Sequence, residues 1–204
     1  MRALVAAFAP SGSGWTVKTD TGRSGEPFDW VVVTAPAAQT AALLPNDSPL
    51  KRLSAGFRMK SCFALMLGFE ATLDTRFDAA LVRERDISWV SINSSKPGRN
   101  GATTVVVHAS NAWADRNIDA DIADVREHLL DELGAATGID GRAARHIDVQ
   151  RWRYANIDRQ HDEVDPIDAE RRLAVCGDWL IRGRVESAFT SAEHLLARMP
   201  ELVS

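Results

Sequence analysis

The sequence predicts an α/β (α+β) fold, and three stretches of the chain support this prediction. Residues 28–44 and 173–199 each begin with an apolar run and continue into a segment with helical spacing. A buried strand followed by a helix is the repeating unit of α/β sheets. Residues 57–109 instead contain several strand-like segments with no helix between them, which indicates an antiparallel sheet.

The N-terminal elements are a hairpin strand and a strand–helix unit. Trp15, Val17 and Thr19 alternate with polar residues between glycine-rich turns, which is typical of a hairpin strand. The apolar run of residues 28–44 predicts a strand covered on both faces, followed by a helix that begins near Pro36. Taken alone, this second stretch also fits a generic buried strand–helix unit.

The middle of the chain is predicted to be mostly strands. Pro45–Pro49 is dense in turn-forming residues and marks a crossing between domains. Beyond it, apolar residues occupy odd positions from Phe57 to Phe69, the alternation of a long strand. A helix capped by Asp119 or Asp121 follows and ends at Gly138. The apolar residues expected on one side of it are Ile122, Val125, Leu129, Leu133 and Ala136. Further strands are predicted at 87–92, 103–109 and 147–154.

This order of elements predicts a discontinuous domain. Residues 1–50 and 171–204 supply strand–helix units that belong together, and residues 51–170 form a second domain inserted between them. The inserted domain would contain the antiparallel sheet and one long helix.

The C-terminal segment offers the most chemistry. A short buried strand at 173–176 is broken by Gly177-Asp178, at the end of the strand where α/β sheets bind ligands. A loop closed by Gly183 leads into a helix, whose free N–H groups favour an anionic or carbonyl-rich group. An ordinary turn with a solvated aspartate remains an alternative at this point. The predicted buried face of the helix consists of Val185, Ala188, Phe189, Ala192, Leu195, Leu196 and Met199.

Composition argues against several classes of protein. Hydrophobic residues make up 45% and charged residues 25% of the chain, and the net charge is −4. Because Lys and Arg form no basic stripe, we do not expect nucleic acid as a partner. No apolar run is long enough to predict a membrane span, and Met1–Ala9 makes a poor signal peptide, so a cytoplasmic location is expected. Cys62 and Cys176 lie in apolar runs, which is typical of core residues, and no metal-ligand spacing occurs.

Several sequence islands resemble one family. Cys176-Gly-Asp-Trp and the stretch from Gly183 to Ser191 are similar to the C-terminal flavin-binding motif of FAD-dependent amine oxidases, most closely of bacterial renalase-like proteins. The resemblance extends over Trp89, Ser94–Arg99, His108–Ser110, Trp113 and Arg151–Ala155. It implies a partial FAD-binding, Rossmann-like domain interrupted by a substrate domain.

The resemblance also implies roles for the C-terminal segment. The carboxylate of Asp178, after Gly177, would bind the ribityl chain of FAD. The loop and helix start would face the pyrimidine edge of the flavin ring, where reduced flavin gathers negative charge that a helix dipole stabilises. The residues concerned there are Gly183, Arg184, Val185 and Glu186.

One part of the family pattern is missing from this sequence. Flavoproteins of this type carry Gly-x-Gly-x-x-Gly between a first strand and helix, which cradles the FAD pyrophosphate. Ser11–Trp15 contains Gly-x-Gly but precedes a strand and lacks the third glycine. The chain therefore resembles the second part of such a protein. We expect weak FAD binding unless another polypeptide supplies the remainder, and self-association through an exposed sheet edge.

The function that the resemblance implies is oxidation of a small molecule. Hydride would pass from a dihydronicotinamide-like or amine substrate to flavin N5, with O2 as acceptor, and no catalytic side chain is required. Trp152, Tyr154 and His108 are the candidate substrate contacts, although aromatic residues in strands usually pack a core. The alternative is a non-catalytic remnant or ligand-binding module that no longer holds FAD.

Overall fold

Two compact units make up the chain. The computed structural model describes residues 4–12, 14–23, 26–99, 101–158 and 164–199. Met1–Met59 and Asn156–Ser204 form one unit, here called the discontinuous unit, and Lys60–Ala155 forms the other, the inserted unit. The sequence analysis instead placed the crossings after residues 50 and 170. The flavin and substrate roles expected of the two parts stay predictions.

Helices and strands are mixed along the chain, which confirms the α/β (α+β) class. The strands are β1 (Val5–Ser11), β2 (Gly14–Thr19), β3 (Gly22–Arg23), β4 (Val31–Val33), β5 (Met59–Phe69), β6 (Ala79–Leu81), β7 (Ile87–Ile92), β8 (Thr103–Ala109), β9 (His146–Ile157), β10 (Ile167–Asp168) and β11 (Leu173–Val175). The helices are α1 (Ala37–Leu43), α2 (Pro49–Ala55), α3 (Asn111–Asn117), α4 (Ile122–Thr137) and α5 (Val185–Arg198).

The discontinuous unit contains two small sheets. In the first, β2 lies between β1 and β3 and pairs antiparallel with both. Gly14 begins β2 where a Cβ atom would lie 2.4 Å from the carbonyl oxygen of Phe28, so only glycine fits there. In the second, the order is β10–β11–β4, and β11 pairs parallel with β4. Strand segments near the two ends of the sequence therefore meet side by side.

The parallel pair separates two apolar clusters. Val31 and Val33 of β4 pack with Leu173 and Val175 of β11 in the main core of this unit. On the other face of the sheet, Ala174 and Cys176 pack with Leu195 of α5. The alternation of side chains along each strand explains this division.

Helix α5 buries a different face from the one that the sequence predicted. Ser187 and Ser191 are each 6% exposed and Leu195 is 4% exposed, whereas Val185, Phe189 and Leu196 are 87%, 65% and 69% exposed. Ala188 and Ala192 are exposed as well. The predicted buried face is therefore wrong for most of its members, because the small serine side chains let the helix lie close to the sheet.

The inserted unit is built on an antiparallel sheet packed against α4. Its strand order is β6–β7–β8–β5–β9, and β5, β7 and β8 correspond to the strands expected from the apolar alternation. Helix α4 begins at Asp121, whose carboxylate accepts a hydrogen bond from the N–H of Ala123 at 2.7 Å, and ends at Gly138, where φ is 77°. Its buried side chains pack on the sheet, and they are Val125, Leu129, Leu130 and Leu133.

Two expectations for this part of the chain need correction. Phe57 does not extend β5 but packs in the core of the discontinuous unit. Ile122 lies at the start of α4 and is 42% exposed, because the helix turns its first residue away from the sheet. None of the helices within the described ranges is both long enough and apolar enough to cross a membrane.

Candidate functional site

The Gly-Asp corner follows directly from the end of β11. The N–H of Cys176 donates to the carbonyl oxygen of Val33 at 3.1 Å, which continues the pairing of the two parallel strands up to the corner. At Gly177 a Cβ atom would lie 2.5 Å from Nε1 of Trp179. Glycine is therefore required at this position because the indole ring occupies the space of a side chain.

Trp179 closes the sheet from inside. It is 1% exposed, its Nε1–H donates to the carbonyl oxygen of Ala35 at 3.1 Å, and its ring meets Phe57 edge to face at 5.0 Å between centroids. The indole thus ties the segment after β4 to the segment after β11. The buried indole therefore covers the end of the sheet and supports the Gly-Asp corner.

Asp178 presents a free carboxylate. Its backbone carbonyl oxygen accepts hydrogen bonds from the N–H groups of Ile181 and Gly183, at 3.1 and 2.9 Å. Its half-buried side chain forms no hydrogen bond or ion pair with any other residue that the structure describes. The carboxylate is therefore available to hydroxyl donors of a ligand.

Gly183 closes the loop in a conformation that other residues avoid. Its φ angle is 62°, and a Cβ atom would lie 3.1 Å from Cγ1 and 3.2 Å from the backbone nitrogen of Ile157. Both the left-handed backbone and the close approach favour glycine. The structure thus brings Gly177, Asp178 and Gly183 into one compact turn.

The start of α5 lies next to this turn. Arg184 is the N-cap residue, has an extended backbone and provides no side-chain cap. The first N–H groups of the helix therefore have no side-chain acceptor from the cap, and they carry the positive end of the helix dipole. Val185 and Glu186 are exposed in the first turn, and the Glu186 carboxylate offsets part of this positive potential.

Ser191 holds the corner against α5, a contact that the sequence analysis missed. The N–H of Gly177 donates to Oγ of Ser191 at 3.0 Å. Ser187 and Ser191 stand one helical turn apart, and small residues at this spacing permit close packing of a helix. That spacing is the signal that could have identified the inward face of the helix.

The candidate substrate contacts lie on the sheet of the inserted unit. His108 of β8 pairs in register with Ala64 of β5, and Val107 and Ala109 on either side point into the core with α4. Trp152 and Tyr154 likewise alternate with residues of β9 that pack toward that core. All three therefore share the face of the sheet opposite α4, with β5 between β8 and β9. Trp152 is 53% exposed and Tyr154 is half-buried, so neither is a plain core residue.

The surroundings of His108 favour the neutral ring. Burial of part of the imidazole lowers its pKa below the ordinary value of 6.5, and the nearby charge of Lys96 lowers it further. A neutral imidazole can both donate and accept a hydrogen bond. His108 is thus suited to polar contact with a ligand at neutral pH.

Two clefts formed by described residues lie away from the predicted site. A cleft of about 490 Å³ in the discontinuous unit has a floor that includes Phe8 and Trp15, and one of about 420 Å³ in the inserted unit includes Asp86 and Glu132. Neither is lined by a predicted site residue. Within the described parts of the chain, no three His, Cys, Asp or Glu side chains are grouped to hold a metal ion.

The fold places a parallel strand pair, a Gly-Asp turn and a helix start next to one another, an arrangement found in α/β proteins that bind ligands at the ends of their strands. The sequence model of the flavin-containing amine oxidoreductases matches residues 1–195. The chain belongs to this family of flavin-containing amine oxidoreductases, as the resemblance in the sequence indicated.

Solved structures with the same fold include three oxidases. A proposed protoporphyrinogen oxidase from Exiguobacterium sp. 255-15 matches 97% of this chain with a TM-score of 0.77 and 16% identity. A putrescine oxidase bound to putrescine matches 98% with a TM-score of 0.70 and 13% identity. Cyclohexylamine oxidase from Brevibacterium oxydans IH-35A matches 94% with a TM-score of 0.62 and 13% identity. This chain spans 46%, 48% and 48% of those three chains, respectively, or about half their length.

Proposed function

We propose that the chain supplies the flavin-ring half and the substrate sheet of an FAD-dependent oxidoreductase. Asp178 would accept hydrogen bonds from ribityl hydroxyl groups, with Gly177 and Gly183 shaping the turn around it. The start of α5 at Arg184, Val185 and Glu186 would face the pyrimidine edge of the ring. The free carboxylate of Asp178 at the end of the parallel strand pair is the observation that carries this proposal.

The residues present fit such a cofactor. Hydroxyl groups need acceptors, and Asp178 offers two carboxylate oxygens with no partner among the described residues. The uncapped first turn of α5 offers N–H donors for a carbonyl-rich ring edge. When bound, the flavin accepts hydride from the substrate, so this chain needs to bind and orient the reactants and exclude water.

The substrate in this proposal is a small amine or a dihydronicotinamide-like compound, with O2 as the final acceptor. Trp152 and Tyr154 would wall a planar or aliphatic substrate, and neutral His108 would contribute a hydrogen bond. The resemblance to renalase-like proteins favours the dihydronicotinamide compound, and the family favours an amine. Titrating the same protein preparation with an amine and with a dihydronicotinamide-like compound would show which of the two substrate classes the chain binds.

Two further expectations from the sequence, on the location of the chain and on its self-association, belong to this proposal. The first is a cytoplasmic location. Self-association is expected of the isolated chain, since an exposed strand edge can pair with another edge. Light scattering at several protein concentrations tests the second expectation.

Riboflavin provides a test that does not depend on a pyrophosphate site, because it carries only the ring and the ribityl chain. We expect the purified chain to quench riboflavin fluorescence on binding. Asp178→Ala should weaken this binding by about 1.5–3 kcal/mol, roughly 10- to 150-fold in Kd, through loss of a charged hydrogen-bond acceptor. The riboflavin affinity of Asp178→Asn should lie between those of the wild type and Asp178→Ala.

Glu193→Ala is the matched control, since it removes an exposed carboxylate from α5 away from the corner. It should bind riboflavin as the wild type does. Equal binding by Asp178→Ala and wild type would contradict the proposed role of the corner. Absence of riboflavin binding up to the solubility limit of riboflavin would instead favour a module that no longer holds flavin.

A further inference from the structure

A cleft of about 490 Å³ lies in the discontinuous unit, and none of the residues proposed to hold the flavin lines it. Strands β1 and β2, the end of α1 and the start of α2 contribute to its lining, and it is here called the α1–α2 cleft. Its volume falls within the range of about 300–1,000 Å³ that is typical of small-molecule sites.

Part of the lining of the α1–α2 cleft is apolar. Phe8 of β1, Trp15 of β2 and Leu43 of α1 belong to this part. Trp15 is 6% exposed, and its Nε1–H donates to the carbonyl oxygen of Arg171 at 2.7 Å, so the indole ring is held in place. Fixed aromatic and aliphatic walls of this kind favour a ligand with a flat apolar body.

Arg171 also lines the cleft, and a buried carboxylate holds it there. Its Nη1 and its backbone N–H donate to the two carboxylate oxygens of Asp168, at 3.4 and 3.2 Å. Asp168 is 5% exposed and accepts a further hydrogen bond from Oγ of Ser48 at 2.9 Å. Because a buried carboxylate is costly without partners, these contacts should persist when a ligand binds.

The other contacts of the Arg171 guanidinium are with exposed carboxylates. Its Nε and Nη2 donate to Oδ2 of Asp47 at 3.3 and 2.9 Å, and the exposed Glu170 carboxylate lies 3.8 Å from Nη1. The Asp47 side chain is 71% exposed, so its ion pair with Arg171 contributes little to stability. The carboxylate of a ligand can therefore replace Asp47, because two adjacent N–H groups of Arg171 match its two oxygens.

Lys51 supplies a second cation in the lining of the cleft. Its Nζ donates to the carbonyl oxygen of Leu44 at 3.2 Å, and it pairs with no carboxylate among the residues that the structure describes. An ammonium group has three N–H donors, so two of them remain for a ligand. Asp47 already accepts hydrogen bonds from Arg171, so the unused polar capacity of the cleft favours an anion over an amine.

We propose that the α1–α2 cleft binds a small aromatic carboxylate. The ring of the ligand lies against Phe8 and Trp15, and its carboxylate accepts hydrogen bonds from Lys51 and from Arg171, where it displaces Asp47. This site goes beyond the proposed flavin role and requires no cofactor.

Naphthylacetate is a suitable probe, because it combines a flat ring with a carboxylate and lacks the ribityl hydroxyl groups of riboflavin. Isothermal titration calorimetry of the whole chain at low salt measures its Kd. We expect naphthylacetate to bind more tightly than the neutral naphthylacetamide, which has the same ring. Saturation with riboflavin, or the substitution Asp178→Ala, should leave the Kd for naphthylacetate unchanged.

Two substitutions in the cleft should change this affinity in opposite directions. Lys51→Met removes the charge but keeps an apolar stem, and it should weaken binding about 10-fold through loss of a charged hydrogen bond. Lys51→Arg should restore most of the affinity. Asp47→Ala frees Arg171 for the ligand and should tighten binding about two- to fivefold, the range expected when an exposed ion pair is removed.

Lys18→Met is the matched control for the loss of a lysine. Lys18 lies on β2 three positions after Trp15, so its side chain is on the opposite face of that strand. This variant should bind naphthylacetate as the wild type does. Thermal unfolding checks that each variant folds, and Asp47→Ala alone provides the test if Lys51→Met does not fold.

Several results would overturn the proposal. Unchanged affinity in Lys51→Met, weaker binding by Asp47→Ala, or equal affinity for naphthylacetate and naphthylacetamide would each do so. Competition by riboflavin would place the probe at the Gly-Asp corner instead, and absence of binding up to the solubility limit of the probe would rule out the site. Because riboflavin binding is measured separately, failure of the flavin proposal is distinguishable from failure of this one.

Discussion

At the scale of single residues, the environment of His108 contributes to the pH dependence of the stability of the inserted unit. Its folded-state pKa lies below the ordinary value of 6.5, first because of burial and second because of Lys96. The unfolded chain therefore binds the proton more readily than the folded chain. The stabilising effect is fully present above pH 6.5 and decreases as the pH falls from there through the lowered folded pKa.

We expect His108→Gln to flatten the dependence of unfolding free energy on pH just below 6.5. Urea titrations at several pH values between 7.5 and 5 measure this slope, with His194→Gln on α5 as the control for loss of an imidazole. Asp47 and Asp119 affect the unfolding free energy in a separate, more acidic pH range, because hydrogen bonds from Arg171 and Arg153 hold the pKa values of these carboxyl groups below 3.8. A slope in His108→Gln equal to that of the wild type would contradict the assignment.

At the scale of elements, α5 is held by its polar side. Ser191 binds the N–H of Gly177, and Leu195 is the large apolar residue that the helix buries against the sheet. The larger apolar side chains of the helix, Val185, Phe189 and Leu196, lie in solvent instead. Helix α5 therefore supports the Gly-Asp corner through close contacts made by small side chains.

We expect Leu195→Ala to destabilise the chain by about 2–5 kcal/mol, since it removes buried methyl groups and leaves a cavity. Phe189→Ala, although it removes a larger side chain, should change stability by only about 0.5 kcal/mol, because the ring is exposed in the isolated chain. Urea unfolding followed by circular dichroism measures both. A loss of stability at Phe189 as large as that at Leu195 would mean that the Phe189 side of the helix is buried in solution.

At the scale of the whole molecule, each unit contains one buried free thiol. Cys176 lies in the discontinuous unit and Cys62 in the inserted unit. Burial raises the pKa of Cys62 to about 11 and also raises that of Cys176. Because the thiolate is the reactive species, both groups should be inert in the folded chain.

Thiol labelling with Ellman's reagent at pH 8 should therefore report the opening of each unit. Native protein should react far more slowly than free cysteine, and protein in 6 M guanidinium should react fully. In a urea series, labelling of Cys62→Ala should follow the opening of the discontinuous unit alone, because only Cys176 remains. Labelling of Cys176→Ala should likewise follow the opening of the inserted unit alone. Rapid labelling of native Cys62→Ala or Cys176→Ala would contradict the burial of the remaining thiol.

Much of the fold could be predicted from local pattern. The apolar alternation of β5, the apolar runs of β4 and β11, and the Asp121 cap of α4 are properties of short segments, and each lies close to its predicted place. The short strands β6 and β10 were missed, since two or three residues carry too little periodicity to detect. The family followed from several short motifs that occur in order, and the sequence model confirms it.

The sequence by itself determined the class of fold, the family and the position of the Gly-Asp corner, because these depend on residue types and spacing along the chain. Only the tertiary structure decided that Trp179 fills the space beside Gly177, that Ser191 holds the corner, and that α5 turns its apolar stripe outward. The physical reason is that a periodic pattern reveals which residues share a face of a helix. Which face is buried depends on the surface that covers it, and that surface comes from segments distant in the chain.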